Sequence, residues 1–211
     1  MLKNKRVLVT CGPTWVPIDA MRVISNRSSG KLGQMIAKDF SEAGARVTLL
    51  EGPVECPLRS KSVRVIKFSF FDELAALMKK ELKRKYDICI HAAAVSDYQV
   101  KKPKRAKLDS GHKNLRLELV PTEKLVHIIK KFNPGLFLVA FKLETKITEL
   151  IAIKKSRSLF REGRSSLVVA NSFKGKTYSG YILDTHHQIL THKRSRRGLS
   201  KILVKIVKEH L

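Results

Sequence analysis

Ser28, Ser29 and Gly30 come directly before a stretch whose apolar residues recur at spacings of three and four. This spacing predicts an amphipathic helix that begins just after Gly30 and ends at Gly44. The first backbone N–H groups of a helix have no partner within it, and they lie at the positive end of its dipole. The segment therefore predicts a seat for a phosphate group, and an ordinary serine N-cap accounts for the same residues equally well.

A second candidate segment follows the predicted strand Ile88–Ile90 and contains His91, Ala93 and Asp97. Small alanine side chains let a ligand approach the backbone, and the Asp97 carboxylate can accept hydrogen bonds from an exocyclic amine or a hydroxyl. Tight packing with an aspartate in a turn is the plainer alternative, and the local pattern by itself favours it.

Two further segments offer a cation and an aromatic ring. Residues 100–113, here called the flap, are rich in lysine and have little periodicity, which predicts an exposed, mobile loop. Lys107 in the flap can neutralise charge on a triphosphate, or it can be an ordinary solvated lysine. Phe141 follows the predicted strand Leu136–Ala140, where an aromatic ring forms either a pocket wall or part of the core.

The elements that must position these segments alternate between strand and helix. The predicted strands are 6–10, 46–50, 63–68, 88–90, 136–140 and 167–170, and further helices are predicted at 71–85, 122–131 and 148–161. Apolar strands separated by helices indicate an α/β fold: a doubly wound, mostly parallel Rossmann-like sheet with helices on both faces. A small C-terminal hairpin and helix follow, and we expect residues 1–211 to form a single domain. Ligands bind at the carboxyl ends of the strands in such sheets, where all four candidate segments lie.

Composition narrows the classes of protein. Lys and Arg number 43 against 18 Asp and Glu, and the formal net charge of +25 favours anionic ligands. The three cysteines form no CxxC pair and no His/Cys group has zinc-site spacing, so neither a disulfide scaffold nor metal-ligating residues are predicted. No apolar run approaches the roughly 20 residues of a membrane span, and we expect a cytoplasmic protein that makes no membrane contact.

Taken together and in order, the candidate segments resemble phosphopantothenoylcysteine synthetase, the amide-forming enzyme of coenzyme A biosynthesis. The matching stretches are VLVTCGPTWVPIDAMRVISNRSSGKLGQMIA, GARVTLLEGP, HAAAVSDYQV, LRLELVPTEKLV, LVAFKLET and SLVVANS. The GPT, PID, SNxSSGxxG and AAAVxDY elements in this order are far more specific than any one of them. Many bacteria fuse this activity behind a flavin-containing decarboxylase. The matching stretches here all belong to the synthetase part, so we expect a stand-alone synthetase that works with a separate phosphopantothenoylcysteine decarboxylase.

The resemblance also implies a reaction in two steps. In bacterial members the carboxylate of 4′-phosphopantothenate attacks the α-phosphate of CTP, which gives an acyl-cytidylate and pyrophosphate. The amine of L-cysteine then displaces CMP. Mg²⁺ and a homodimer are implied as well, while CTP and ATP both remain open because eukaryotic relatives use ATP.

The motifs that match the family suggest a role for each residue. Asn26 matches the essential asparagine of SNxSSG, and Lys107 matches the first lysine of the flap motif KxKK, an assignment that can shift to Lys104. Asn26 and Lys107 are therefore the expected catalytic residues. The expected nucleotide-binding residues are Ser28, Ser29, Gly30, His91, Ala93, Asp97, Lys107, Glu123, Lys124, Leu125, Val126, Phe141, Arg157 and Arg161. Arg157 and Arg161 are the nearest candidates for two family cations that lie one helical turn apart.

Two other classes of protein fit parts of the sequence. The net charge suits a nucleic-acid-binding protein, but the basic residues are spread along the chain and only 7% of it is aromatic, so nucleic acid is not an expected partner. An NAD(P)-dependent reductase would place Glu51 against a ribose. That alternative conflicts with the sequence, because the glycines of GxGxxG do not follow the first strand.

Overall fold

The computed structural model describes residues 2–111, 113–175 and 177–211, which form strands and helices in alternation. The strands are β1 (Arg6–Cys11), β2 (Trp15–Pro17), β3 (Val23–Ser25), β4 (Arg46–Glu51), β5 (Val63–Lys67), β6 (Ile88–His91), β7 (Tyr98–Val100), β8 (Leu119–Pro121), β9 (Phe137–Glu144), β10 (Leu167–Lys174), β11 (Thr177–Leu183) and β12 (Ile189–Lys193). The helices are α1 (Lys31–Glu42), α2 (Phe71–Leu82), α3 (Leu125–Phe132), α4 (Glu149–Arg161) and α5 (Arg196–Glu209). Within these described ranges, no helix is long and apolar enough to cross a membrane.

The central sheet has eight strands in the order β12-β11-β10-β9-β6-β1-β4-β5. The six strands from β10 to β5 are parallel, and β11 and β12 continue the sheet in antiparallel pairs. The strand order reverses between β1 and β6, which makes the gap beyond their carboxyl ends the place where such sheets bind ligands. The predicted doubly wound, mostly parallel α/β fold with a C-terminal hairpin and helix is confirmed.

Alternate residues of the central strands pack against opposite layers of helices. Val7 and Val9 of β1 face the core cluster that contains the apolar faces of α1 and α5. Leu8 between them faces the cluster that contains α2 and α3. Both faces of the sheet are covered, which explains why β1 reads as a continuous apolar run.

Several boundaries differ from the sequence prediction. α2 ends at Leu82, because the chain turns through a left-handed residue at Lys85 (φ 54°) instead of continuing the helix. β9 extends through Glu144, since its pairing with β10 continues beyond the apolar residues. The two-stranded sheets β2–β3 and β7–β8 were not predicted, because each of these strands has three residues and no apolar periodicity.

Candidate functional site

The loops that follow β1 and β6 lie side by side at the point where the strand order reverses. The Ala94 N–H donates to the Gly12 carbonyl at 2.8 Å, and the Thr14 N–H donates to the Ala94 carbonyl at 3.3 Å. The Ser96 N–H donates to Thr14 Oγ1 at 2.9 Å. These bonds extend the pairing of the two strands beyond the sheet, so the loops form one crevice.

The first turn of α1 lies directly over the end of β1. The N-cap is Gly30 in a left-handed conformation (φ 68°), and no side chain caps the helix. The predicted serine N-cap does not form, because the turn of the chain at Gly30 separates the serines from the first turn. A Cβ atom added at Gly33 would lie 2.4 Å from Cys11 Cβ, so the helix can approach β1 this closely only with glycine there.

Asn26 connects the segment before α1 to the loop after β6. Its Nδ2 donates to the carbonyl oxygens of Ala94 and Val95, at 3.2 Å each. Asn26 itself is exposed, so a ligand in the crevice can reach its amide. The structure thereby brings together two segments that lie about seventy residues apart in the chain.

His91 ends β6 and is held in its neutral form. Burial lowers the pKa of His91 to about 4. Its Nδ1 lies 2.9 Å from Thr10 Oγ1, and that oxygen also accepts a hydrogen bond from the Ala93 N–H at 3.2 Å. One hydroxyl of β1 therefore fixes both His91 and the backbone of Ala93.

Asp97 meets the segment that begins α3. Lys124 Nζ lies 2.5 Å from Asp97 Oδ1, and the Thr122 N–H donates to the Asp97 carbonyl at 3.0 Å. The neighbouring Glu123 is exposed, whereas Leu125 is buried in the core between the sheet, α2 and α3. Val126 is half-buried. The predicted stretch 123–126 is thus adjacent to Asp97, but the Leu125 side chain serves the core.

The remaining predicted residues are not joined to this crevice by any contact among the described residues. Lys107 is exposed, and its ammonium group has no partner in the described part of the chain. Phe141 lies within β9, not after it, and packs against the core beneath α1 and α5. Arg157 and Arg161 are exposed on α4, where Arg161 Nη2 bonds to Glu162 at 2.9 Å. His112, in the flap, lies outside the described residues.

The family described as "DNA/pantothenate metabolism flavoprotein C-terminal domain" matches residues 2–208. The chain belongs to this family. Among its relatives, the coenzyme A biosynthesis bifunctional protein CoaBC of Thermococcus kodakarensis is 42% identical over 174 residues, which are 82% of this chain and 42% of that protein. The chain therefore spans less than half the length of this relative.

Solved structures of the family share the fold. The DNA/pantothenate metabolism flavoprotein from Streptococcus pneumoniae superposes with a TM-score of 0.87 at 23% identity, over 98% of this chain and 100% of that one. A mutant of Cab2 in complex with phosphopantothenate-cysteine superposes with a TM-score of 0.80 at 18% identity, over 99% of this chain and 86% of the other. At these identities the likeness establishes the Rossmann-like architecture, and it agrees with the predicted fold.

Three buried residues were missed by the sequence analysis, two that organise the crevice and one that holds the flap. Thr10 and Thr14 are fully buried and hold the loop after β6 through their hydroxyl groups. Asp19 is buried in the turn between β2 and β3 and bonds to the flap. The PID element in the sequence was the available signal for Asp19, but its partner in the flap is not visible from local pattern.

Glu51, the residue that a reductase would place against a ribose, is occupied inside the protein. Its fully buried carboxylate accepts hydrogen bonds from Gln34 Nε2 at 2.6 Å and from the Leu58 N–H at 3.0 Å, and it pairs with Lys67. The Glu51 carboxylate therefore connects α1, through Gln34, to the loop after β4, through Leu58. This geometry gives no support to the reductase alternative.

Proposed function

We propose that this chain joins 4′-phosphopantothenate to L-cysteine through an amide bond, after CTP has activated the carboxylate. The observation that carries the proposal is the pair of hydrogen bonds from Asn26 to the Ala94 and Val95 carbonyls. They place the segment leading to the uncapped end of α1 beside the turn 91–97. The similar proteins support the same reaction, because the Thermococcus kodakarensis relative is a coenzyme A biosynthesis protein and the Cab2 mutant is bound to phosphopantothenate-cysteine.

The first step brings two anions together, because a carboxylate oxygen attacks the α-phosphate of CTP and pyrophosphate leaves. The open N–H groups and positive dipole end of α1 offset this repulsion, and Lys107 on the flap adds a mobile positive charge. Asn26 is uncharged, so it can contact the acyl phosphate without repelling it. To donate to a phosphate oxygen, its amide must exchange one of its two carbonyl partners, each 3.2 Å away.

In the second step, the cysteine amine attacks the acyl carbon and CMP leaves with the bonding electron pair. The nucleotide must stay fixed meanwhile, and we assign this task to the turn 91–97 with Lys124. Neutral His91 can form hydrogen bonds there without adding charge, and Asp97 can accept from an exocyclic amine while Lys124 lies beside it. We assign Ser28 and Ser29 to the phosphates, and Phe141, Arg157 and Arg161 to the outer part of the nucleotide site.

Mg²⁺ is proposed to enter with the triphosphate. Across residues 2–111, 113–175 and 177–211, no group of three or more His, Cys, Asp or Glu side chains is placed to hold a metal ion. This fits Mg²⁺, which keeps several waters and binds mainly through substrate phosphates and one or two carboxylates. When bound, the ion supplies positive charge to the phosphates.

We further propose that residues 1–211 act as one domain in a cytoplasmic homodimer. The two small sheets β2–β3 and β7–β8 support self-association, because Met21, Val23 and Ile24 on one and Tyr98 and Leu119 on the other are exposed apolar side chains. Light scattering during gel filtration should give about twice the monomer mass of 23.9 kDa. A monomer mass would contradict the homodimer.

The ligase assay uses the purified chain with 4′-phosphopantothenate, Mg²⁺ and either CTP or ATP, with and without L-cysteine. With CTP alone we expect pyrophosphate and an acyl-cytidylate, and with cysteine we expect the amide product and CMP, both identified by mass spectrometry. Product formation with ATP only would correct the nucleotide. Absence of product with either nucleotide would contradict the proposed function, and a salt-sensitive gel shift of duplex DNA would then favour the nucleic-acid alternative.

A further inference from the structure

The turn between β2 and β3 is organised around one buried carboxylate, that of Asp19. Its side chain is 0% exposed. Asp19 Oδ1 accepts hydrogen bonds from the Met21 N–H at 2.8 Å and from the Arg22 N–H at 2.7 Å. These bonds form an Asx-type turn, which by itself is a common way to shape a hairpin.

The second oxygen of the same carboxylate faces the flap. Asp19 Oδ2 accepts a hydrogen bond from the Leu108 N–H at 3.0 Å and pairs with Arg22 Nη1 at 3.2 Å. Arg22 Nη2 donates to the Leu108 carbonyl at 3.2 Å. Both backbone polar groups of Leu108 are therefore held by one ion pair, which we call the Asp19–Arg22 clamp.

Another backbone contact supports the clamp from the side. The Lys104 N–H donates to the Ile18 carbonyl at 3.0 Å. The hydrogen bond from Leu108 is the largest cause of a lowered pKa at Asp19, and the N–H groups of Met21 and Arg22 act in the same direction. The carboxylate is therefore charged throughout the physiological range, and hydrogen bonds to a charged acceptor are stronger than those between neutral groups.

The clamp is connected through the chain to both residues proposed to be catalytic. Lys107 directly precedes Leu108, and Asn26 directly follows β3, the second strand of the hairpin that carries Asp19. Lys107 has no side-chain partner among the described residues, so its position depends on the backbone of the flap. We propose, on the basis of the function assigned above, that Asp19 is a positioning residue that fixes the flap backbone next to Lys107 and thereby sets the position of Lys107 for the first step.

The test uses Asp19→Asn, which separates the two roles of the carboxylate. In the variant, Oδ1 still accepts hydrogen bonds from the N–H groups of Met21 and Arg22. Nδ2 replaces Oδ2 and is a donor, so the hydrogen bond from the Leu108 N–H and the ion pair with the Arg22 guanidinium are both lost. Exchange of the Leu108 amide with deuterium, followed by NMR, should become about tenfold faster or more. The rate of pyrophosphate release should fall roughly tenfold to hundredfold, with a smaller change in the KM for CTP.

Asp184→Asn is the matched control. Asp184 Oδ1 also accepts hydrogen bonds from two backbone N–H groups, those of His186 at 3.0 Å and Gln188 at 2.8 Å, in the hairpin between β11 and β12. The same substitution there removes a charge from a similar turn without touching the flap. We expect wild-type pyrophosphate release and unchanged exchange at Leu108 in this variant.

A double variant decides whether Asp19 acts through Lys107. If it does, Asp19→Asn should slow a Lys107→Gln protein much less than it slows the wild type, because the group being positioned is gone. Effects that simply add would overturn the proposal, and so would a wild-type Leu108 amide that exchanges as fast as those of Lys107 and Asp109. A chain without any pyrophosphate release would overturn the proposed function instead, and the exchange rates would still report whether Asp19 anchors the flap.

Discussion

Four of the five helices that the described residues form around the sheet begin in two contrasting ways; the fifth, α2, has no side-chain cap on its first turn, although Glu73 accepts hydrogen bonds from the N–H groups of Ser69 and Phe70 just before it. α4 and α5 are capped by their own side chains, since Thr148 and Ser195 each accept a hydrogen bond from an N–H group of the first turn. α1 and α3 begin after Gly30 and Lys124, and neither has a side-chain cap. The serines before α1 do not alter this, although the sequence places them where a cap would be expected.

The difference follows the topology of the sheet. α1 and α3 are the helices that come after β1 and β6, the two strands on either side of the point where the strand order reverses. An uncapped first turn keeps its N–H groups for a ligand, whereas a capped one has already satisfied part of them. Among these four helices, the two outside the crevice are stabilised by a cap, and the two beside it keep their first N–H groups open for a ligand.

Among the substitutions near the uncapped helices, Asn26→Asp should have the largest effect. A carboxylate at this position would face the Ala94 and Val95 carbonyl oxygens and would repel the substrate carboxylate, so turnover should fall roughly hundredfold to thousandfold. The ligase assay measures this loss. Asn133→Asp is the control, because Asn133 Nδ2 also donates to a backbone carbonyl, that of Tyr86, at the amino-terminal edge of the sheet. Equal turnover in the two variants would contradict the role of Asn26.

His91, at the end of β6, should make the stability of the folded protein depend on pH in the acidic range. The pKa of His91 is about 4 in the folded state against 6.5 as its ordinary value, so the unfolded state binds more protons between these limits. Stability should therefore fall as the pH drops from about 6.5 to about 4, by up to about 3 kcal/mol from this group. Urea unfolding of the wild type and of His91→Asn at pH 7 and pH 4.5 would show it. The same pH dependence in both proteins would exclude His91 as the source.

Gly30→Ala and Gly175→Ala distinguish backbone strain from crowding at the open end of α1. Both glycines have positive φ angles, 68° and 58°, so either substitution should cost about 1 kcal/mol of stability. At Gly30 the new Cβ would meet Val54 Cγ1 at 2.8 Å, while at Gly175 it would meet no atom of the described residues within 4 Å, its chain neighbours aside. Gly30→Ala should therefore lose more stability in urea unfolding and also raise the KM for CTP. An unchanged KM would argue against a phosphate seat at this turn.

Ser195→Ala and Ser28→Ala should have the smallest effects on stability. Ser195 caps α5, whereas Ser28 lies just before α1 without capping it. Ser195→Ala removes the cap of α5 and should cost about 1 kcal/mol without changing turnover. Ser28→Ala should stay within about 0.5 kcal/mol, because Ser28 Oγ reaches only the Gly30 N–H, at 3.4 Å. A loss of stability at Ser28 as large as at Ser195 would show that α1 is capped after all.

The sheet and the main helices could be predicted because their buried residues form apolar runs or recur at helical spacing within a short stretch of sequence. β1 is buried at every residue after Arg6 and β6 is buried throughout, both are mostly apolar, and the amphipathic spacing of α1 matches the face that packs on the core. The two small sheets β2–β3 and β7–β8 could not be predicted in this way. Their strands have three residues each, which is too short for a periodic pattern, and β7–β8 also joins segments that are far apart in the chain, as Tyr98 pairs with Pro121.

The residues of the candidate site also fall into two groups, those in contiguous motifs and those whose partners are distant in the chain. Motif resemblance located Asn26, the turn 91–97 and the flap, since each is a contiguous stretch of sequence. The residues that hold those stretches together were missed, because their partners are far away in the chain. Thr10 contacts His91 across 81 residues, and Asp19 contacts Leu108 across 89. Such pairs have no local periodicity and emerge only when the sheet has assembled.

The close packing of α1 on β1 also hides a thiol under the crevice. Cys11 is fully buried, and its Sγ lies beneath Gly30. Burial raises the pKa of Cys11, and the negative charge of Glu51 raises it further, so the sulfur stays protonated. In the proposed reaction, a thiol that reached the mixed anhydride would form a thioester with the protein and block turnover. The packing of α1 over Cys11 would keep this thiol away from the activated acyl group and leave that group for the incoming amine.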